Sequence, residues 1–465
     1  LHAVVQKRTV DSEFITAKSM ARILQKEAKK YRKTGGRVLN DPWQDYNKPP
    51  VYLCSIREII DPGCTDAELN GIQGWDESTD TASKIKAVQT DFDDKITEKL
   101  KDVLKKHEKA LKPLLGLPVQ RPDFDMGIEF DGTIPNSKVY RMSPAELSEL
   151  QTQLKDYLER GWIRPSMSEF ASGVMFAVKP GTNKLRLCVD YRQVNRYSKK
   201  VGYALPNIDN ILDKLGNCQC YTTTELASGY HQLRIKDYPE DGLDPDGNPI
   251  KNSRGEIMKG SDVHKTAFRT QYGTYEWLVV PFGLQNAPST YQKLVNYILD
   301  PIRRPWLAVY LDDILIFSST PDEHLKHLDE VLGILVSNNL YVRPEKCQWI
   351  KKSLDYLGFT VQGATPDKPG GIRPSEKKIR AVTDWAVPKS VKDVQSFLGF
   401  TNFYRRFFKD YAAIAAPLYE LTETDVNFVW SQQCNHAFRT LKTRLTTAPM
   451  LVAPRTGPDE SFVLS

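Results

Sequence analysis

The spacing of apolar residues predicts two helices after the first ninety residues of the chain. Between residues 92 and 113, apolar side chains recur three or four positions apart, as on one face of a helix, and Pro113 ends the pattern. A second helix is predicted after Ser143, because Ser143 and Glu146 have the spacing of a capping box and Gly161 is suited to end the helix.

Short extended runs follow these helices. Residues 173–180 and 184–191 flank a Pro-Gly-Thr-Asn turn and predict a β-hairpin, and residues 308–317 predict a second one. A strand pair is predicted at residues 353–361, and helical patterns occupy residues 325–340 and much of residues 377–445. The chain is therefore predicted to have a mixed α+β fold.

The second hairpin places two acidic residues, Asp312 and Asp313, side by side between apolar runs. Like charges this close raise each other's pKa unless a cation neutralises them, and carboxylate oxygens are the ligands that the hard ion Mg²⁺ prefers. An ordinary Asp-rich turn is the alternative interpretation. The sequence of the hairpin by itself does not distinguish a metal site from an ordinary turn.

Composition narrows the class of protein only slightly. The chain has 465 residues, of which 40% are hydrophobic, so it is long enough for more than one domain. No apolar run approaches the roughly 18 residues of a membrane span, so no membrane partner is expected. Its seven cysteines, an odd number, predict reduced thiols, and its net charge of +6 is compatible with a polyanionic partner.

A catalytic site that uses two metal ions needs a carboxylate from a second strand, because one hairpin cannot contact both the attacking and the leaving oxygen. Glu225 ends an apparent strand in CYTTTELASGYHQLRI, before a turn that contains Gly229, and Tyr230 follows five positions later. Glu225 is therefore the candidate third carboxylate.

The chain resembles the reverse transcriptases of gypsy-type (Metaviridae) long-terminal-repeat retrotransposons, over a collinear series from about Leu115 to the C-terminus. The motifs that carry the resemblance are YRMSPAELSELQTQLKDYLERGWIRPS, KLRLCVDYRQVN, SGYHQLRI, KTAFRTQYGTYEWLVVPFGLQNAPSTYQ, VYLDDILIFS, EKCQW, YLGF and SVKDVQSFLGFTNFYRRF. A short YxDD motif is weak evidence alone, whereas eight motifs in the right order are strong.

The resemblance implies a right-hand polymerase fold with fingers, palm and thumb, within one segment of a Pol polyprotein. The implied divisions are 1–90 as a partly disordered linker between protease and polymerase, 91–200 as N-terminal helices and fingers, 201–236 as palm, 237–280 as fingers with an inserted loop at 237–264, 281–362 as palm, 363–425 as thumb, and 426–465 as a tether toward a missing ribonuclease H domain.

It also implies a metal site. Asp312 and Asp313 match the family's hairpin aspartates, Glu225 falls at the position of the first metal-binding aspartate, and the carbonyl of Leu226 matches a backbone ligand. Two Mg²⁺ ions are expected, with Mn²⁺ as a substitute.

The nucleotide contacts are implied in the same way. Tyr230 falls at the steric gate that would collide with a ribose 2′-hydroxyl, Lys179 and Arg186 at positions that hold the triphosphate, and Phe282 and Gly283 where the nucleotide and the template base are held. Guanidinium and ammonium groups are the usual phosphate ligands, which agrees with the assignment of Lys179 and Arg186.

The implied nucleic-acid contacts lie further along the chain. Tyr356, Leu357 and Gly358 match the primer grip. Lys346 lies in a region proposed to offer a proton to pyrophosphate, and Arg405 and Arg406 interleave with aromatic residues on a predicted thumb helix.

Each of these residues also has a structural interpretation. Tyr230 could be a core aromatic residue, Lys179 and Arg186 solvated charges of a hairpin, Lys346 a lysine that happens to precede a strand, and Arg405 and Arg406 an exposed structural pair.

Glu225 is the main departure from the family pattern. Glutamate keeps the charge of aspartate but adds a methylene, whereas Mg²⁺ tolerates little deviation from octahedral distances. A misplacement of about 1 Å can cost about a hundredfold in rate, so a weakened active site is expected.

The expected activity is RNA-directed and DNA-directed DNA synthesis from a primer 3′-hydroxyl. The expected partners are an RNA template, a DNA primer-template, an RNA-DNA hybrid and deoxynucleoside triphosphates; the sequence does not define the oligomeric state. The expected location is intracellular, in a cytoplasmic particle or the nucleus. The alternative is an inactive or repurposed nucleic-acid-binding protein descended from a reverse transcriptase.

Overall fold

A computed structural model describes residues 81–130, 137–178, 185–215, 218–365, 367–423 and 426–452. The prediction of a linker over residues 1–90 therefore lies almost entirely outside the described residues, and so does Lys179.

Eleven α-helices occupy the described part of the chain. They are α1 Thr81–Lys86, α2 Asp94–Lys106, α3 Pro144–Glu159, α4 Arg192–Tyr197, α5 Ile208–Leu212, α6 Ala287–Leu299, α7 Pro321–Ser337, α8 Glu376–Thr383, α9 Val391–Phe403, α10 Tyr411–Glu420 and α11 Gln432–Thr446. None of these described helices combines the length and the apolar character needed to cross a bilayer.

Twelve strands form three sheets among the described residues. The strands are β1 Ile163–Pro165, β2 Ser172–Val178, β3 Leu185–Val189, β4 Cys220–Glu225, β5 Phe268–Thr270, β6 Gly273–Trp277, β7 Leu307–Tyr310, β8 Asp313–Ser318, β9 Gln348–Lys351, β10 Ser353–Tyr356, β11 Phe359–Gln362 and β12 Gly371–Pro374. Their orders are β1-β6-β5-β2-β3, β7-β8-β4-β9 and β10-β11-β12. The mixed α+β prediction is confirmed.

The sheet β7-β8-β4-β9, called the central sheet below, separates two hydrophobic cores. Alternate residues of a strand point to opposite faces, and Ile314 and Ile316 of β8 belong to one core while Leu315 and Phe317 belong to the other. The first core includes helices α6 and α7, and the second includes α8 to α11. Both faces of the central sheet are therefore covered by packed helices.

Several local predictions are confirmed. Helix α3 has the capping box, in which the Ser143 hydroxyl accepts from the Glu146 backbone N–H and the Glu146 carboxylate accepts from the Ser143 N–H. Strands β2 and β3 pair as an antiparallel hairpin, as do β7 and β8. The helix predicted up to Pro113 differs, because α2 ends at Lys106 and a 3₁₀ segment, Glu108–Leu111, continues it.

The insertion at residues 237–264 is folded back on itself. An antiparallel bridge pairs Asp237 with Ser261, so its two ends lie side by side. Further bridges pair Leu243 with Pro249 and Lys251 with Ile257. The Ser253 hydroxyl donates to Asp123 at 2.7 Å, which fastens the outer part of the insertion to the body of the protein.

Candidate active site

The register of the central sheet brings Glu225 and Asp313 together. Strands β4 and β8 are antiparallel, and Glu225 is the direct cross-strand partner of Asp313. Side chains of such partners lie on the same face of a sheet, with Cβ atoms about 5 Å apart. Two residues that are 88 positions apart in the sequence thus become neighbours at one end of the sheet.

The hairpin that carries the aspartates has a two-residue turn, because Tyr310 pairs with Asp313. Leu311, the first residue of that turn, has a left-handed backbone with φ of 53°, which costs a non-glycine residue roughly 1–2 kcal/mol. The buried Gln292 side chain stabilises it, since Gln292 Oε1 accepts from the Leu311 N–H at 2.7 Å. The Leu226 N–H donates to the Asp312 carbonyl at 3.1 Å and ties β4 to the turn.

The Asp312 carboxylate lies against Gly229. A Cβ atom on Gly229 would overlap Asp312 Oδ1 and come within 2.6 Å of the Tyr291 hydroxyl. Only glycine leaves this space free. Asp312 Oδ1 and the Tyr291 hydroxyl are both buried, and neither has a hydrogen-bond partner of good geometry among the described residues. A buried carboxylate oxygen without a donor is suited to accept a cation.

The pKa values of both aspartates are raised. Burial raises the pKa of Asp312 to about 7, and the charges of Asp313 and Glu225 add to the increase, while the nearby Tyr291 hydroxyl and Lys346 oppose it. Asp313 reaches solvent, yet the protein around it excludes enough water to raise its pKa to about 6, and Glu225 adds to that effect. The three carboxylates therefore interact electrostatically.

Glu225 is held by a lysine. Lys346 Nζ donates to Glu225 Oε1 at 2.6 Å, and both side chains are partly buried. Lys346 ends the 3₁₀ segment Pro344–Lys346, and the Arg343 N–H donates to the Glu225 carbonyl at 2.8 Å, so the two backbones run together here.

The donor chemistry of this site fits a hard divalent cation, because it offers carboxylate oxygens, one of which is buried without a partner. The arrangement is incomplete, however. Across the described residues, no three His, Cys, Asp or Glu side chains are placed so that they could hold a metal ion together. The Glu225 carboxylate, the cross-strand neighbour of Asp313, is paired with Lys346.

Tyr230 stands in an aromatic group next to the carboxylates. Its ring contacts the rings of Phe282 and Tyr291 edge-on, at centroid distances of 5.3 and 5.4 Å. Burial, together with the Asp312 charge, raises the pKa of Tyr230 to about 12, so the hydroxyl stays protonated. Gly283 has φ of 99°, which lets the backbone turn directly after the exposed Phe282.

Arg186 lies beside the same aromatic group. Its guanidinium is 5.8 Å from the centroid of the Phe282 ring, within cation–π range. The structure thus brings Arg186, Phe282 and Tyr230 to one wall of the site. The other residue predicted to hold the triphosphate, Lys179, is among those that the structure does not describe.

Tyr356, Leu357 and Gly358 form the tight turn between β10 and β11. Leu357 and Gly358 have φ of 48° and 84°, as a two-residue hairpin turn with two left-handed residues requires. The buried Tyr356 hydroxyl donates to the Asp313 carbonyl at 3.4 Å, and the Tyr404 hydroxyl donates to the Gly358 carbonyl at 3.1 Å. The turn therefore contacts the aspartate hairpin on one side and the C-terminal helices on the other.

The two arginines after α9 have different surroundings. Arg406 forms ion pairs with Asp209 and Asp213, at 3.2 and 2.6 Å, on and directly after α5. Arg405 is exposed to solvent. The predicted phosphate contact is thus open to Arg405 in this structure, whereas Arg406 would have to leave two carboxylates.

Sequence reasoning missed two residues that shape the site. Tyr291 and Gln292 on α6 are completely buried, and they contact the aspartate hairpin. A polar residue such as Gln292 on the apolar face of a helix was the available signal, because buried amides need partners.

The overall arrangement is the right-hand polymerase fold. The structure of the foamy viral protease-reverse transcriptase dRH in complex with double-stranded DNA superimposes with a TM-score of 0.65 at 21% identity, covering 79% of this chain and 60% of that one. The structure of the foamy viral protease-reverse transcriptase in complex with an RNA/DNA hybrid superimposes with a TM-score of 0.61 at 21% identity, covering 79% of this chain and 46% of that one. The fold prediction is confirmed.

Sequence comparison is more specific than the fold. Residues 177–361 match the family described as reverse transcriptase (RNA-dependent DNA polymerase). The retrovirus-related Pol polyprotein from transposon 297 of Drosophila melanogaster is 35% identical over 335 residues, or 71% of this chain and 29% of that protein. The transposon Tf2-3 polyprotein of Schizosaccharomyces pombe is 30% identical over 345 residues, which are 74% of this chain and 23% of that protein. The chain thus spans less than a third of the length of these relatives.

Proposed function

We propose that this chain is an RNA-directed and DNA-directed DNA polymerase that extends a primer 3′-hydroxyl with deoxynucleoside triphosphates. The observation that carries the proposal is the cross-strand pairing of Glu225 with Asp313, next to the unpartnered Asp312 oxygen, inside a reverse transcriptase domain. We further assign the domain to the gypsy type, on the collinear motifs and on the likeness to retrotransposon polyproteins.

Asp312, Asp313 and Glu225, with the Leu226 carbonyl, are the groups that would hold two Mg²⁺ ions, or Mn²⁺ in their place. When bound, such ions would favour ionisation of the primer hydroxyl and neutralise charge on the pyrophosphate. Within the protein, Gln292 supports the turn of the hairpin by accepting a hydrogen bond from the Leu311 N–H.

The aromatic wall would select the sugar of the nucleotide. The Tyr230 ring packs edge-on against Phe282 and Tyr291, which would limit how far it swings aside for a ribose 2′-hydroxyl. Arg186, over Phe282, is placed to pair with the triphosphate, with Lys179 as the second cation.

A template and primer would lie across the aspartate hairpin and the turn Tyr356 to Gly358. The contact from the Tyr356 hydroxyl to the Asp313 carbonyl supports this, because it couples the position of a primer end to that of the carboxylates. The foamy viral relatives of this fold are described in complexes with double-stranded DNA and an RNA/DNA hybrid, and we propose the same classes of partner here. Residues 363–425 would act as the thumb.

Glu225 makes the proposed enzyme a slow one. The extra methylene and the ion pair with Lys346 both hold the carboxylate away from the position that an aspartate would take.

Primer extension on an RNA template with Mg²⁺ or Mn²⁺ tests the proposal. The chain as given is compared with Asp312→Asn, which keeps the shape of the side chain but removes its charge. Extension by the unaltered chain that is lost in the variant supports the polymerase. Equal background in both would mean that the chain binds nucleic acid without extending it.

A further inference from the structure

We propose that Lys346 is an internal counter-ion that competes with divalent cations for Glu225, so that a metal ion must break the Lys346–Glu225 ion pair before the three carboxylates can bind it. The inference rests on the proposed function only in taking Glu225 as a metal ligand. It adds a positioning role for Lys346, argued from the contact between Lys346 Nζ and Glu225 Oε1.

The first argument is the geometry of the ion pair. The distance of 2.6 Å joins Lys346 Nζ and Glu225 Oε1, and the exposed fractions of the two side chains are 16% and 30%. Partial burial strengthens such a pair relative to a fully solvated one, because water screens it less. Both side chains start from backbones that are hydrogen-bonded to each other through Arg343, so little conformational freedom opposes the contact.

The second argument is the incomplete metal site. Asp312 Oδ1 is buried and, among the described residues, has no hydrogen-bond partner of good geometry, although the Tyr291 hydroxyl lies close to this carboxylate, so it is an acceptor suited to a cation. No group of three ligands forms among the described residues. The carboxylate that would complete it is Glu225, and the observed partner of Glu225 is Lys346.

The third argument is the reach of Lys346. Its positive charge acts on Asp312 and Asp313 as well as on Glu225, because it lowers the pKa of both aspartates against the effect of burial. The ammonium group therefore partly neutralises the same three charges that a divalent cation would neutralise. Two cations of this kind exclude each other from one small cluster.

The fourth argument is the length of the side chain at position 225. An aspartate would be shorter by about one carbon–carbon bond, roughly 1.5 Å. From the same backbone position it would fall short of Lys346 and stay nearer to its cross-strand partner Asp313. The competition is therefore a consequence of glutamate at this position.

Binding of Mn²⁺ alone tests the inference. The loss of the free-ion electron paramagnetic resonance signal is titrated on the full chain, without nucleic acid or nucleotide. The variants are Lys346→Met, Lys346→Gln, Glu225→Gln and the double variant Lys346→Met/Glu225→Gln. Lys351→Met is the matched control, because Lys351 is also a partly buried lysine paired with a carboxylate, Asp91 at 2.9 Å, outside the carboxylate cluster.

Lys346→Met and Lys346→Gln are expected to tighten Mn²⁺ binding by about tenfold, as for a partly buried ion pair. Lys351→Met should leave binding unchanged. In the Glu225→Gln background, removing Lys346 should change affinity by no more than about threefold, since no carboxylate remains to be released.

Two results would overturn the inference. One is unchanged or weaker Mn²⁺ binding in both folded Lys346 variants. The other is an equal gain with and without Glu225, which would mean that Lys346 only repels cations. Melting temperatures identify any variant that does not fold. The titration contains no primer or nucleotide. A chain that does not extend primers can therefore still show the predicted gain in Mn²⁺ affinity, and a chain that extends primers can lack it. The two proposals thus fail separately.

Discussion

Asp312 is the most constrained carboxylate of the site. Its Oδ1 atom is enclosed by Gly229 and by the buried Tyr291 hydroxyl, neither of which can move far. Its position is therefore determined by the absence of a side chain at residue 229. The consequence can be measured with one added methyl group.

Gly229→Ala is expected to lower primer extension by about a hundredfold, because the new methyl group displaces the carboxylate by about 1 Å or more. The measurement is single-nucleotide extension, with the melting temperature as a check of folding. Gly202→Ala is the control, since a Cβ there meets no atom within 4 Å. Equal activity in the two variants would contradict the proposed role of Asp312.

The ionisation of Asp312 predicts a pH dependence of stability. Its pKa is about 7 in the folded protein, against a model-compound value of 3.8. Between these values the folded state keeps a proton that the unfolded state has lost, so the free energy of unfolding falls as the pH rises.

Asp312→Asn removes this titration. In EDTA, its stability relative to the unaltered chain should rise between pH 5 and pH 8 by at least about 1 kcal/mol. Urea unfolding at the two pH values measures the difference. A stability difference that is the same at both would show that Asp312 titrates normally.

Glu225→Asp should raise primer extension by about tenfold or more. The shorter side chain would no longer reach Lys346 and would lie nearer to Asp313. Part of the misplacement of the carboxylate is then corrected, and a misplacement of about 1 Å can lower the rate about a hundredfold. Extension rates on an RNA template provide the measurement, with Glu225→Gln as the inactive reference. A change of less than about twofold would mean that glutamate does not weaken the site.

At the scale of elements, the 3₁₀ segment Arg405–Phe407 connects two parts of the protein. Arg406 reaches Asp209 and Asp213, so it ties the helices after the central sheet to α5. Arg405 extends into solvent from the same segment. Adjacent arginines thus have separate tasks, one within the protein and one available to a ligand.

This division predicts different effects on nucleic-acid binding. Arg405→Gln should weaken binding of a primer-template and reduce the salt dependence of log K by about one unit, as for one lost phosphate contact. Arg406→Gln should leave that slope unchanged and lower the free energy of unfolding by no more than about 1 kcal/mol. Fluorescence anisotropy at several salt concentrations measures the slopes. The same slope change in both variants would contradict the assignment.

At the scale of the whole molecule, the sequence predicted those features that depend on residues close together in the chain. The capping box of α3 and the hairpins β2-β3 and β7-β8 depend on neighbouring residues, and all three formed as predicted. The motif series predicted the right-hand fold, which the structural comparison confirmed.

The Lys346–Glu225 ion pair could not be predicted from the sequence, since it depends on the register in which distant strands pair. The pairing of β4 with β9 contains an irregularity between Tyr221 and Thr223. Such a shift changes which residues face each other, and sequence periodicity does not reveal it. The enclosure of Asp312 likewise requires Gly229 and Tyr291 to converge from separate elements.

The side-by-side ends of the insertion at Asp237 and Ser261 have a practical consequence. Gly247, at an exposed tip, has open space around the position of a Cβ atom. A fluorescent reporter whose own termini are adjacent could be inserted at this tip, because exposed loop tips tolerate insertions and the two ends of the insertion are paired. The tip of the insertion is thus a suitable site for labelling the protein.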